Sequence, residues 1–237
     1  MVDRDVHIWD EWPFQNYLKE NNLENDFPKY SEKWLEEKKN FIEKIKKLDK
    51  NDPFVIKYWD LWPVYGRQWR NFNWQNIDQL KNAIEQIKTN PTNRRIIVSA
   101  WNPAEIDKML LPPCHSFFQF NVNTAENSLD LQLYQRSADM FLWVPFNIAS
   151  YSALLLLISK ITWLKPWVFT HTIWDAHIYK NHFEQVDLQL GREPLKLPEL
   201  NILKNIETLE DLENLEWLDF ELKNYQSHDT IKAPVAV

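Results

Sequence analysis

The hydrophobic pattern changes period several times along the chain, and each change predicts an element. EKWLEEKKNFIEKIKKL places Trp34, Leu35, Phe41, Ile42, Ile45 and Leu48 on one side of a polar stretch, which predicts a surface helix. Ile77, Leu80, Ile84 and Ile87 recur at helical spacing between Asn76 and Thr89. PTN breaks that helix before RRIIVSAW, a short buried strand. CHSFFQFNV and SLDLQLYQRSAD alternate as strands, joined by a hairpin through NTAEN. PFNIASYSALLLLISKIT is apolar nearly all round and predicts a central helix deep in the core. WVFTHTIWDAHIY predicts a strand, and NHFEQVDLQLG a helix capped by Gly191. LKLPELNI and EWLDFELKNY predict edge strands. DLWPVYGRQW and NPAEIDKMLLPP read as loops, and Met1 to Trp12 contains no convincing fold start. There is no internal repeat and no linker rich in Pro or Gly. The pattern predicts one α+β domain over residues 1–237.

Composition alters this picture at two residues. The 237-residue chain has 2 Gly and 13 Trp, where about 7% Gly, roughly 16 residues, is usual. A dinucleotide or P-loop fingerprint needs several glycines in one short motif, so both are excluded. The net charge of −7 argues against a DNA partner, which calls for a positive footprint. One cysteine rules out an intrachain disulfide and a cysteine-rich metal site. The apolar run from Ile148 to Ile161 is interrupted by Ser150, Ser152, Ser159 and Lys160 and is shorter than the ~20 residues a bilayer span needs. The opening residues lack a signal-peptide pattern. A cytoplasmic protein without a membrane partner is expected.

Few residues carry chemistry. Cys114 follows Pro112 and Pro113 at a strand edge, beside His115. A thiolate nucleophile there needs a cationic setting, and a buried small hydrophobe is the plain alternative. Arg94, Arg95 and Arg136, the last next to Ser137, either form surface ion pairs or clamp a phosphate dianion, which guanidinium forks match. His171, Asp175, His177 and Tyr179 alternate onto one strand face. They suit sugar hydroxyls at least as well as a metal, for which a third ligand is wanting. Asn147 opens the greasy helix, where either N-capping or recognition of a planar ring amide accounts for it.

DLWPVYGRQWR, RRIIVSAWNP, LPPCHSFFQF, LYQRSAD, VPFNIASY, DAHIYKNH and the terminal IKAPVAV together resemble the thymidylate synthase family, from Val6 to Val237. The resemblance implies a large, mostly antiparallel or mixed sheet packed with helices around a central buried helix. It also implies a cytoplasmic homodimer formed through the back of that sheet. The implied reaction is methylation of dUMP to dTMP, with 5,10-methylenetetrahydrofolate as carbon donor and reductant and no metal. By motif, Cys114 would attack C6 of the uracil ring. Arg136 and Ser137 would hold the substrate phosphate, and Arg136 would favour the thiolate. Arg94 and Arg95 would reach the partner's site across the interface. Asn147 would read the uracil edge, which disfavours a related dCMP hydroxymethylase. His177 and Tyr179 would bind the deoxyribose hydroxyl, and Tyr65 would take part in removing the C5 proton through water. His115 and Gln135 would support the site. Trp9, Trp12, Asp139 and Val237 would line the folate side. Residues 16–57 would form a helical insertion, as in the longer bacterial form.

The chain departs from the family twice. Family members carry about 70 residues ahead of HIWDEW, so a shortened chain is expected, with a non-catalytic remnant that binds nucleotide or dimerises as the rival reading. The family also places Gly where this chain has Trp59, Trp62, Trp74, Trp143, Trp163, Trp167 and Trp174. One cause would account for all seven: UGA codons that some bacteria read as glycine, translated here as tryptophan.

Overall fold

A computed structural model of the chain describes residues 9–58 and 63–235. Trp59, Trp62 and Val237 lie outside the described residues, as does the stretch before Trp9. The described chain forms two compact units, residues 1–68 with 101–113, and residues 69–100 with 114–237.

The first unit is helical. Its helices are α1 (Glu11–Glu20), α2 (Glu32–Lys47) and α3 (Pro53–Tyr58). The sequence pattern missed α1, because only Pro13, Phe14 and Leu18 on it are buried and the polar stretch beyond masks the period. Ser31 caps α2 by accepting from the Trp34 N–H at 3.2 Å, satisfying one orphan donor of the first turn. Phe14, Leu18, Trp34, Phe41, Ile45, Val55 and Tyr58 form one aromatic-rich core. Leu35, expected on that face, is exposed. A buried amide cluster ties the loops of this unit together. Gln68 Nε2 donates to the Pro63 carbonyl and to Glu105 Oε2, each at 2.8 Å, and Asn102 Nδ2 donates to the same carboxylate at 3.0 Å.

Helix α4 (Gly66–Arg70) covers the point where the chain passes into the second unit, followed by α5 (Gln79–Thr89). The main sheet has the order β1 (Ile97–Ser99), β2 (His115–Asn123), β3 (Ser128–Asp139) and β4 (Lys165–His177). β1 to β3 pair antiparallel, and β4 joins β3 parallel, so the sheet is mixed. The parallel step requires a crossover, which α6 (Val144–Thr162) supplies. Phe118, Phe120, Val122, Leu129, Leu131 and Leu133 alternate onto one sheet face and pack with Leu80, Ile84 and Ile87 of α5 and with Tyr151, Leu155, Ile158 and Ile161 of α6. Arg70 links Asp78, the N-cap of α5, to Glu213. The remaining elements are α7 (Phe183–Leu190), β5 (Glu199–Ile202), α8 (Leu209–Glu213) and β6 (Phe220–Lys223), with β5 and β6 antiparallel.

α6 is the central buried helix that the pattern predicts, with Tyr151, Leu155, Ile158 and Ile161 buried, and by length and composition alone it could also cross a bilayer. One side is committed to the sheet, while Phe146 and Ile148 are exposed on the other. Gly191 caps α7 as expected, with its N–H on the Asp187 carbonyl, but at φ −75, a right-handed conformation that asks nothing special of glycine.

Neither glycine has positive φ. Among the described residues the left-handed positions fall to Asn22, Asn73, Asn76, Asn127 and Asn224, to Tyr30 and Tyr65, and to Trp74 and Trp163. Asparagine tolerates this region through local hydrogen bonding; tryptophan has no such compensation. Trp74 and Trp163 are two of the seven positions at which the sequence resemblance leads one to expect glycine.

Candidate active site

The second unit gathers its chemistry where β2 begins and β3 and β4 end. The Arg136 N–H donates to the Cys114 carbonyl at 2.9 Å, which ties the nucleophile candidate to the QRS segment. A register shift between His115 and Phe117 marks a bulge. The extra residue reverses the alternation there, as bulges beside active sites do. Phe117 pairs outward with Tyr134, while His115 faces α6 and lies 3.3 Å from the Tyr151 hydroxyl. Parallel pairing sets Ser137 beside Asp175 and Asp139 beside His177.

Burial pushes the Cys114 thiol pKa up, and the Arg136 guanidinium opposes it. Arg136 thus favours the thiolate, as expected, but desolvation is the larger effect. Burial lowers His115 to about 4, so its ring is neutral at neutral pH. Tyr179 is raised by burial first and then by Asp139, Cys114 and Asp175, which places these four groups in one electrostatic neighbourhood. The rings of His177 and Tyr179 meet edge to face at 5.0 Å. Asp139 Oδ1 accepts from the Phe141 and Leu142 N–H groups, while its Oδ2 is buried without a partner among the described residues.

Asn147 is not the N-cap of its helix. Trp143 holds that position, and Asn147 lies inside the first turn with its side chain buried. Gln135 Nε2 donates to Asn147 Oδ1 at 3.1 Å and to the Ser137 carbonyl at 2.9 Å. His171 Nε2 lies 2.7 Å from Gln135 Oε1. The sequence pattern put His171 on the right strand face without indicating this partner. Arg94 and Arg95 precede β1 and are exposed; the Arg94 carbonyl accepts from Gln119 at 3.2 Å, and neither side chain forms an ion pair with the Cys114 group. Tyr65, Trp9 and Trp12 belong to the first unit. Trp9 and Trp12 pack with ring centroids 5.4 Å apart, and Tyr65 has φ 36. Among the described residues no group of three or more His, Cys, Asp or Glu could hold a metal ion.

The thymidylate synthase family profile matches residues 1–237. The chain belongs to the thymidylate synthase family. The thymidylate synthase of Malacoplasma penetrans (strain HF-2) is 52% identical over 237 residues, which are all of this chain and 75% of that protein. The thymidylate synthase of Mycoplasma mobile is also 52% identical over the same shares. That of Aster yellows witches'-broom phytoplasma is 45% identical over 238 residues, again 75% of its length. The mixed sheet with α6 behind it suits the thymidylate synthase fold, and the α6 end of that sheet is where this member of the family gathers its cysteine, arginine and amide groups.

Proposed function

We propose that the chain methylates dUMP at C5, with 5,10-methylenetetrahydrofolate as cosubstrate. The observation that carries this reading is the backbone bond from Arg136 to Cys114, which sets the guanidinium where it acts on the thiol, with the Gln135–Asn147 amide pair held at the same end of the sheet. The Cys114 thiolate adds to C6 of the ring and makes C5 nucleophilic; its later expulsion regenerates the free thiol. A bound phosphate dianion contacts Arg136 and Ser137, with Arg94 and Arg95 supplied from the partner of a homodimer. The exposed apolar residues Ile97 of β1, Phe117 of β2 and Val168 of β4 support an assembly that covers them. Asn147 offers one donor and one acceptor to O4 and N3–H of uracil. A cytosine edge would leave both unpaired, which is costly in a buried site. His177 and Tyr179 hold the deoxyribose hydroxyl, and Tyr65 helps a water remove the C5 proton.

The unpartnered Oδ2 of Asp139 is a buried carboxylate acceptor of the kind a folate ring N–H requires. The family resemblance also assigns Trp9, Trp12 and Val237 to folate. When bound, the reduced folate supplies the one-carbon unit and the hydride that completes the methyl group. The same reading gives Trp74 and Trp163 as glycine positions written as tryptophan, which their left-handed backbones support.

Tritium release from dUMP labelled at C5, with methylenetetrahydrofolate present, tests the proposal. Release by the chain and none by Cys114→Ala is expected. Nucleotide binding without release would favour the non-catalytic remnant, and turnover of dCMP would favour the hydroxymethylase.

A further inference from the structure

The side-chain amides of Gln135 and Asn147 could each point either way, but their surroundings admit one arrangement. The atom of Gln135 that lies 2.9 Å from the Ser137 carbonyl faces an oxygen with no proton, so it must be the NH2 group. Gln135 Oε1 then faces His171 Nε2 at 2.7 Å, and an acceptor at that distance requires His171 to donate. The second N–H of Gln135 faces Asn147 at 3.1 Å, so Asn147 must present Oδ1 there. One backbone carbonyl and one imidazole thus settle both amides in turn.

We propose that His171 is a positioning residue for pyrimidine selection: its Nε2–H holds Gln135, and Gln135 holds Asn147 by its Oδ1, with the NH2 group turned away from Gln135 toward a ring carbonyl. This rests on the reading that Asn147 recognises uracil. A reversed Asn147 would turn an oxygen toward O4 of uracil and favour the amino group of cytosine instead. His171 is kept in place by Phe169, whose ring stacks on it at 5.7 Å and on Tyr151 at 6.0 Å. Hence one histidine, which touches no substrate atom, acts with the Ser137 carbonyl to set which base the site accepts. Burial lowers the pKa of His171, so the donor is the neutral Nε2–H form at neutral pH.

The test has two readouts on the whole chain. Nitrogen-15 NMR of labelled histidine reports the His171 tautomer, and the side-chain amide resonances of Gln135 and Asn147 report the relay without any nucleotide. Calorimetry with dUMP and dCMP reports selection. Nε2–H is expected in the unaltered chain. His171→Phe keeps a ring but no donor; it should shift the Asn147 amide resonances and lower the dUMP preference by roughly tenfold. His171→Gln, which can donate from its own amide, should recover most of that preference. An Nδ1–H tautomer overturns the proposal, as does His171→Phe with unchanged amide resonances and unchanged preference. A chain with the relay intact but no preference for dUMP overturns the uracil reading of Asn147 and, with it, the role in selection; the NMR readout keeps that failure distinct from a failure of the relay.

Discussion

Replacing Trp163 by glycine should stabilise the protein, although it deletes the largest side chain available. Trp163 follows the last turn of α6 at φ 55 and ψ 31. The Leu164 N–H returns to the Ser159 carbonyl at 3.0 Å, and the Trp163 N–H to Lys160 at 3.4 Å. These are the two bonds of a Schellman closure, whose left-handed residue is usually glycine. A side chain in that conformation costs about 1–2 kcal/mol. The indole is 66% exposed, and its main contact is Lys88 Nζ, 4.6 Å from the ring centroid, worth about 0.5–1 kcal/mol at an exposed site. The net gain for Trp163→Gly is therefore about 1 kcal/mol, which raises Tm by roughly 2–4 °C for a chain of this size. Trp163→Ala isolates the backbone term, because it loses the same ring contact and keeps the strain. Inside a helix Gly is less stable than Ala by about 0.5–1 kcal/mol; here the order should invert. Urea or thermal unfolding of the three proteins decides it, and an alanine variant as stable as the glycine variant would refute the reasoning.

Alkylation of Cys114 by iodoacetamide should rise with pH only above the ordinary thiol range, since burial outweighs Arg136. Arg136→Ala removes the opposing cation, so its alkylation profile should move to still higher pH; a shift to lower pH would contradict the electrostatic account. For His115, the folded pKa of about 4 lies below the ~6.5 of an unfolded histidine, so the unfolded chain takes up the proton first. Its contribution to stability is complete above about pH 6.5 and is lost as pH falls toward 4, by about 3 kcal/mol at most. Stability curves of His115→Gln and the unaltered chain should converge over that window, and parallel curves would count against it. Sequencing the coding DNA should find UGA at Trp163 and Trp74 and UGG at Trp9 and Trp101; UGG at all four would end the recoding idea.

Strands and helices with a sustained period were legible in the sequence because a single face is buried in each. β3 occupies the predicted Ser128–Asp139 segment, and α2 falls within its Lys- and Glu-rich run. α1 escaped detection because its buried positions are few. The central position of α6 was legible from its uniform apolarity, which left open that Phe146 and Ile148 near its start are exposed. For the candidate site the sequence offered residue types, Cys114, Arg136 and His177, where chemistry and motif coincide. The site was not legible at the level of partners: nothing in the spacing of Gln135, Asn147 and His171 shows that one carbonyl orients all three. The balance of burial against Arg136 at Cys114 likewise needs coordinates, because desolvation depends on what packs over the thiol.

The parallel pairing of β4 with β3 has a consequence for the order of events during synthesis. Cys114, Arg136 and Asn147 emerge first, but His171, His177 and Tyr179 arrive only after α6 has crossed behind the sheet. Pairing β4 beside β3 closes a loop of long sequence separation, the slow kind of contact in folding. The nascent chain therefore has its thiol and arginine before it has the strand that completes their surroundings. Nucleotide binding should be acquired late, as one step with the docking of β4, so that a ligand present during refolding would accelerate nothing before that strand is in place.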